Sequence, residues 1–302
     1  MNAYIWGAGE IGRRAYDYCK TIFQIQGFID KCASATFSVF CGCKVISPQF
    51  YLCKDYNITV IIAVRYPYEV INEIKAQMGG QQRCKIFVFD GRSKKHFELY
   101  DVFDFAMDNI SYGNIQYKKL NNNHRHYSSM PTLERNRLET AWNFLKSYRT
   151  NTQLVEFGCG MGQLANLLFD NGYNNYTGVD ISSVAIEQAC SMNERHKNCF
   201  VCDDAFHYLL ETHLDEDTVY ICLEMLEHIV NDLELVNLLP SGSKLIFSLP
   251  SFKSFNHVRW FSGMDEIVDR YKCLNIIEYT TLCASELHDK MVWYVISAVK
   301  EG

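Results

Sequence analysis

Apolar runs of four to seven residues alternate along this chain with stretches in which apolar positions recur every three or four residues. The first pattern reads as strand and the second as amphipathic helix. Strands are expected at 2–6, 26–30, 58–64 and 85–89, with helices at 13–21 and 67–78. The run Ile58-Thr59-Val60-Ile61-Ile62-Ala63-Val64 has the character of a strand covered on both faces in a parallel sheet. From 91 to about 125 the pattern weakens, so residues 91–130 read as a linking region and Asn121-Asn122-Asn123-His124 as a loop. Thr132 is placed to cap a helix over 133–148. The alternation then resumes with an apolar run from Leu154, a helix over 163–171 and a strand over 176–180. Further strands are expected near 198–202, 218–223, 243–249, 273–279 and 291–299, the last two antiparallel.

Glycines sharpen this picture at two places. Gly7-Ala8-Gly9-Glu10-Ile11-Gly12 follows the first strand and opens a helix, and Asp30 closes the next strand eighteen residues later. Glu156-Phe157-Gly158-Cys159-Gly160-Met161-Gly162 repeats the arrangement, and Asp180 again follows by eighteen residues. Strand, glycine turn, helix, strand and acidic tip together are the nucleotide-binding half of a doubly wound sheet. The fold class expected is therefore α/β, with two Rossmann-like doubly wound domains. The first covers residues 1–90 and the second 131–302, which ends in an antiparallel edge strand.

Charge separates the halves. Residues 1–150 hold 20 Lys and Arg against 13 Asp and Glu, a net +7, and the remainder holds 9 against 22, a net −13. An acidic C-terminal half is a poor partner for nucleic acid, whose binding depends on neutralising phosphates. The basic half suits a phosphorylated ligand or an acidic partner. The 13 cysteines are scattered, with Cys41-Gly42-Cys43 the tightest pair, and read as reduced thiols rather than a disulfide framework or zinc site. No apolar run reaches membrane-spanning length, and the N-terminus has no export signal, so a cytoplasmic protein is expected.

Candidate chemistry concentrates in the second half. A glycine turn lets a ligand approach the backbone closely. Glu156 can reach an amine or anchor the loop, Asp180 can take both hydroxyls of a ribose, and Asp203-Asp204-Ala205 can meet an adenine. With Gly158, Gly160, Gly162 and Ile181, this ordered set resembles the class I S-adenosylmethionine-dependent methyltransferases over roughly residues 135–302. The resemblance implies S-adenosylmethionine as cofactor. Its methionyl portion would lie on the glycine loop, its ribose on Asp180, and its adenine on Asp203 or Asp204 with Ala205.

After the strand near 218–223 comes Leu223-Glu224-Met225-Leu226-Glu227-His228-Ile229. A helix starting here would set Glu224, Glu227 and His228 on one face. Such a group serves as a general base, as a metal site, or merely as an acidic helix start. E-x-x-E-H followed by Pro250 and His257 is similar to the ubiquinone-biosynthesis O-methyltransferases. It is also similar to small-RNA 2′-O-methyltransferases, in which such a set binds a divalent metal. That resemblance implies Mg²⁺ or another divalent cation on Glu224, Glu227, His228 and His257. Glu224 also belongs to the cofactor-binding set, and Glu227, His228 and His257 are the catalytic candidates, with either histidine as base in the absence of metal. The spacing around His257 departs from the RNA family. Phe252, Phe255, Trp260 and Phe261 serve equally as walls of an acceptor pocket or as packing.

In the N-terminal half, Gly7, Gly9, Gly12 and Asp30 fit a nucleotide or dinucleotide, and Arg13 and Arg14 are placed to meet phosphate. No hydride-transfer set accompanies them. This stretch, with Gly27-Phe28-Ile29-Asp30 and Gly42 to Pro48, resembles the N-terminal domains of sugar acyltransferases and nucleotide-sugar modifying enzymes. The function expected is an S-adenosylmethionine-dependent methyltransferase acting on a hydroxyl of a small polar substrate, with a sugar or nucleotide-sugar suggested by the N-terminal resemblance. The alternatives are a metal-dependent RNA 2′-O-methyltransferase and a non-catalytic nucleotide-binding scaffold. Self-association is left open.

Overall fold

A computed structural model describes residues 1–34, 37–52, 58–93, 97–120, 126–212, 214, 217–285 and 290–301. The loop expected at 121–124 lies outside the described residues. Two compact units emerge: Met1–Tyr112 together with the short segment Ser254–His257, and Gly113–Lys253 together with Val258–Gly302.

The first unit runs β1 (Asn2–Trp6), α1 (Glu10–Cys19), β2 (Gln24–Ile29), β3 (Val39–Phe40), β4 (Cys43–Ile46), α2 (Pro48–Leu52), β5 (Thr59–Ile62), α3 (Pro67–Gln77), β6 (Ile86–Asp90), β7 (Glu98–Phe103) and β8 (Ala106–Met107). Its sheet order is β3-β4-β2-β1-β5-β6-β7-β8. β2, β1, β5 and β6 are parallel, and Ile5 sits in register with Phe28 and Ile61. Those three side chains are fully buried and, with Ala15 and Phe89, form a core. The switch of direction between β2 and β5 on either side of β1 puts the first glycine turn at the carboxyl edge of the sheet, where doubly wound folds bind ligands.

α4 (Asn109–Leu120) crosses the division between the units. The second unit continues with α5 (Thr132–Leu145), β9 (Leu154–Phe157), α6 (Gln163–Asp170), β10 (Tyr176–Asp180), α7 (Ser183–Met192), β11 (Phe200–Cys202), α8 (Ala205–Glu211), β12 (Val219–Cys222), α9 (Asp232–Leu238), β13 (Lys244–Pro250), α10 (Met264–Arg270), β14 (Leu274–Cys283) and β15 (Val292–Lys300). The order is β11-β10-β9-β12-β13-β15-β14, parallel through β13, with β15 antiparallel to both β13 and β14. Successive residues of a strand face opposite sides. Leu154, Ile221 and Ile246 accordingly join one core cluster, while Val155, Tyr220 and Phe247 join the other. Fully burying each such side chain contributes about 2 kcal/mol.

The α/β expectation holds, antiparallel edge included. Three local readings change. The weak pattern over 91–125 conceals β7, β8 and α4; α4 buries no side chain completely and so carries no clear apolar stripe. Thr132 is the first residue of α5, and Pro131 occupies the cap position before it. Residues 223–229 form no helix, and α9 begins only at Asp232. No helix among the described residues is long and apolar enough to cross a membrane.

Candidate functional site

The second glycine turn rises from β9, the central parallel strand. Gly158 and Gly160 have φ of 73° and 52°, in the left-handed region. A Cβ on Gly158 would lie 2.8 Å from Met225 Cγ, and one on Gly160 would lie 2.9 Å from the Tyr117 hydroxyl oxygen. Both positions are thus restricted by conformation and by close neighbours. Asp180, at the tip of β10, clasps the turn: Oδ2 accepts the Gly160 N–H at 2.9 Å and Oδ1 accepts the Ser182 N–H at 2.8 Å. Burial pushes the Asp180 carboxyl up and the two N–H groups oppose it. Each oxygen retains a lone pair for a ligand hydroxyl.

Glu156 is buried beneath the turn and accepts the Tyr176 hydroxyl at 2.5 Å. Burial pushes its carboxyl up to about 7, against the hydrogen bond from Tyr176. The backbone carbonyl of Ile181 accepts the Cys202 thiol at 4.0 Å. The two acids after β11 divide their work. Asp204 caps α8, accepting the Phe206 N–H at 2.9 Å and the His207 N–H at 3.3 Å, with Ala205 buried as the first helical residue. Asp203 pairs with His207 Nδ1 at 2.8 Å, which lowers the Asp203 pKa and raises that of His207.

The segment after β12 replaces the expected helix with a clamped turn. Glu224 adopts φ 53°, an uncommon conformation for a side-chain-bearing residue. Its N–H donates to Ser248 Oγ at 2.8 Å, and its carboxylate lies 3.5 Å from Arg137 Nη1. Arg137 stacks over the Trp293 ring, 4.8 Å from its centroid. Arg259 donates to the carbonyls of Leu226, Ile229 and Val230, groups a continuing helix would have used itself. Arg259 is in turn 3.0 Å from the fully buried Asp232, which also accepts Arg270 through both oxygens and the Tyr271 hydroxyl at 2.6 Å. The carboxylate set is therefore held by long-range ion pairs rather than by helical spacing.

Glu227 is completely buried, and its carboxyl faces that of Glu224. Burial first, then the Glu224 charge, pushes its carboxyl well above the usual range. Glu227 and His228 bring donor atoms within 4.8 Å of each other. His257 is buried and lies in the segment that groups with the first unit. The next residue, Val258, donates its N–H to the Glu227 carbonyl at 2.8 Å. Of the aromatic candidates, Phe261 belongs to the core and touches Tyr271, and Phe255 stacks on Tyr112 beneath Arg92. Phe252 meets Trp293 edge-on and Trp260 carries Lys253 over its ring.

The first glycine turn is built on the same plan. Asp30 accepts the Ala8 N–H at Oδ2 and the Cys32 N–H at Oδ1, each at 2.8 Å. A Cβ on Gly12 would lie 1.9 Å from the Gly7 carbonyl oxygen, so helix and turn pack backbone to backbone there, while Gly9 faces open space. Arg13 stacks on Phe40, and Arg14 binds the Gly91 carbonyl and Glu10. Both arginines therefore have internal partners. After β5 the chain passes through Ala63-Val64-Arg65-Tyr66 into α3 without an acidic residue.

Sequence reasoning missed Arg137, Ser248, Asp232, Arg259, Arg270, Tyr271, Asn114 and Tyr117, because each acts across a long stretch of chain. Cys199-Phe200-Val201-Cys202 has C-x-x-C spacing. Cys199 packs on the core while Cys202 is exposed, and both are free thiols.

Residues 154–241 match the family model described as a methyltransferase domain, a stretch that includes the second glycine turn, Asp180, Asp203, Asp204 and Glu224 to His228. The matched stretch lies within the second unit. No curated protein matches the chain. Among solved structures, one that is similar is magnesium protoporphyrin IX methyltransferase from Synechocystis with bound S-adenosylmethionine. It is 17% identical with a TM-score of 0.46, and the match covers 65% of this chain and 99% of that one. Another is the N-methyltransferase NodS from Bradyrhizobium japonicum with S-adenosylhomocysteine, 15% identical with a TM-score of 0.46, covering 63% and 99%.

Proposed function

We propose that the second unit transfers the methyl group of S-adenosylmethionine to a hydroxyl of a small polar acceptor, a sugar or nucleotide-sugar. The observation that carries the reading is that the matched stretch holds, in one unit, the glycine turn clasped by Asp180 and the clamped turn of Glu224, Glu227 and His228. Gly158, Gly160 and Gly162 admit the methionyl end of the cofactor, and Glu156 underlies them. Asp180 takes the ribose hydroxyls and Asp203 the adenine edge, with Ala205 against the ring. Asp204, engaged in capping α8, supports that corner. The acceptor oxygen forms its bond to the methyl carbon as the sulfur–methyl bond breaks, and the sulfonium becomes a neutral thioether. The proton leaves the oxygen for His228 or His257. When His228 gains that charge, Glu227 gains a cationic neighbour that offsets its burial. The protein's main contribution is to hold the two reactants in line.

A second form of the reading adds a divalent cation. It is favoured by Glu227, a completely buried carboxylate standing beside His228. Mg²⁺ or a similar ion there would lower the pKa of the acceptor hydroxyl, with Glu224 and His257 as the remaining ligands the resemblance implies. The first unit, in this reading, binds the nucleotide portion of a sugar nucleotide at Gly7, Gly9 and Gly12, with Asp30 shaping the turn.

The test is label transfer from methyl-labelled S-adenosylmethionine to monosaccharides, nucleotide-sugars, primary amines and RNA, each with and without chelator. Label in a sugar hydroxyl supports the proposal, and chelator-sensitive transfer supports its metal form. Label only in an amine or in RNA overturns the acceptor, and absence of S-adenosylhomocysteine binding favours the scaffold alternative.

A further inference from the structure

α4 reaches the cofactor end of the second unit although none of its side chains is fully buried. Asn114 Oδ1 accepts the Ser182 hydroxyl at 2.7 Å and the Val184 N–H at 3.5 Å. The Tyr117 carbonyl accepts Gln188 Nε2 at 3.1 Å. A Cβ on Gly113 would sit 3.5 Å from Ser182 Cβ, and the Tyr117 hydroxyl stands 2.9 Å from the place a Cβ on Gly160 would take. Gly160 and Ser182 are the two residues whose N–H groups Asp180 clasps. The helix therefore spans both ends of that clasp.

We propose that residues 113–120 form a lid over the glycine turn and that Tyr117 is a cofactor-binding residue, its hydroxyl donating to the carboxylate at the amino-acid end of an S-adenosyl ligand. The identity of the ligand rests on the methyl-transfer reading. Three features carry the inference. The methionyl end must lie along Gly158 to Gly162, and the Tyr117 hydroxyl stands against the middle of that turn. A tyrosine combines an apolar ring with a polar tip that donates to a carboxylate while the ring excludes water. Residues 113–120 are held by side-chain hydrogen bonds that each contribute about 1 kcal/mol net, and none of their side chains is fully buried. Their opening is therefore inexpensive, as a segment that admits a ligand requires.

Lys118 and Lys119 in the last turn of α4 are exposed and report its state to trypsin. The experiment combines calorimetry of S-adenosylhomocysteine with limited trypsinolysis of the full chain. Cleavage after Lys118 and Lys119 should slow when S-adenosylhomocysteine is bound. Tyr117→Phe should bind it about tenfold more weakly with an unchanged circular dichroism spectrum. Asn114→Ala should quicken cleavage in the absence of ligand. The inference is overturned if the wild-type protein binds S-adenosylhomocysteine yet its cleavage is unaffected and Tyr117→Phe binds equally well. If the wild-type protein binds no S-adenosylhomocysteine, the cofactor reading itself fails, and this inference with it.

Discussion

The two glycine turns of this chain are close copies in construction and differ in what surrounds them. Each follows a central parallel strand, opens a helix, and is clasped by an aspartate at the tip of the neighbouring strand through two backbone N–H groups. On the other side of the central strand the units part. After β5 the first unit goes into α3 by a short connection without acids. After β12 the second folds Glu224, Glu227 and His228 into a turn that Arg259 and Asp232 hold in place. The clasped turn is thus a fold device that both units use. The proposed difference in chemistry lies in the turn after the adjacent strand.

The strongest way to break this comparison is to remove the clamp. Asp232 is fully buried and satisfies two arginines and a tyrosine hydroxyl. Removing one partner of a buried ion pair typically costs about 3–5 kcal/mol. Asp232→Ala should lower the stability of the second unit by that order in urea unfolding. A change under about 1 kcal/mol would mean the clamp is not what shapes the turn.

Glu156 sharpens the comparison next. Its folded pKa of about 7 lies above its value of 4.5 as a free carboxyl, so the folded protein binds the extra proton between those limits. Stability is then highest below the unfolded pKa, falls as pH rises, and levels off above the folded pKa. The whole effect is about 3 kcal/mol at 1.36 kcal/mol per unit. Glu156→Gln should flatten this slope and raise the melting temperature at pH 8. An unchanged pH–stability profile would contradict the account of a buried carboxyl.

The first turn offers a paired test of its own. Gly12→Ala places a methyl 1.9 Å from the Gly7 carbonyl oxygen and should destabilise the first unit strongly, whereas Gly9→Ala meets nothing within 4 Å. Gly9→Ala should leave the thermal melt within about 1 kcal/mol of wild type while abolishing any thermal shift with nucleotide-sugars. A retained shift would remove Gly9 from the proposed ligand surface.

The smallest expected effect is electrostatic. Asp203 raises the His207 pKa by hydrogen bonding and charge, so this pair supports the fold while the histidine is protonated and is lost as pH rises through that pKa. Asp203 titrates in the opposite sense, below its usual range. An NMR titration of His207 should have its midpoint above the ordinary histidine value and return towards it in Asp203→Asn. No movement on that substitution would show that the pair does not form in solution.

What the sequence revealed follows from distance along the chain. The glycine turns, their aspartates and the parallel strands apart from β4 are local patterns, and these were legible. The turn at Glu224 was not. E-x-x-E-H has helical spacing, but Arg259 comes in from beyond β13 to take three of its carbonyls, and Glu224 turns over at φ 53° to meet Ser248. Tertiary partners decided the local structure there. Arg137 was hidden because a polar residue on α5 reads as solvent-facing, whereas it lies against Trp293 and Glu224. α4 was hidden because it buries too little to leave a stripe.

The central claim is that cofactor chemistry belongs to the second clasped turn and not to the first. Calorimetry with S-adenosylhomocysteine on the wild-type protein, Asp180→Ala and Asp30→Ala tests it most directly. The account predicts one binding event in the wild-type protein, its loss in Asp180→Ala and its retention in Asp30→Ala. Binding that survives Asp180→Ala and disappears in Asp30→Ala would contradict it.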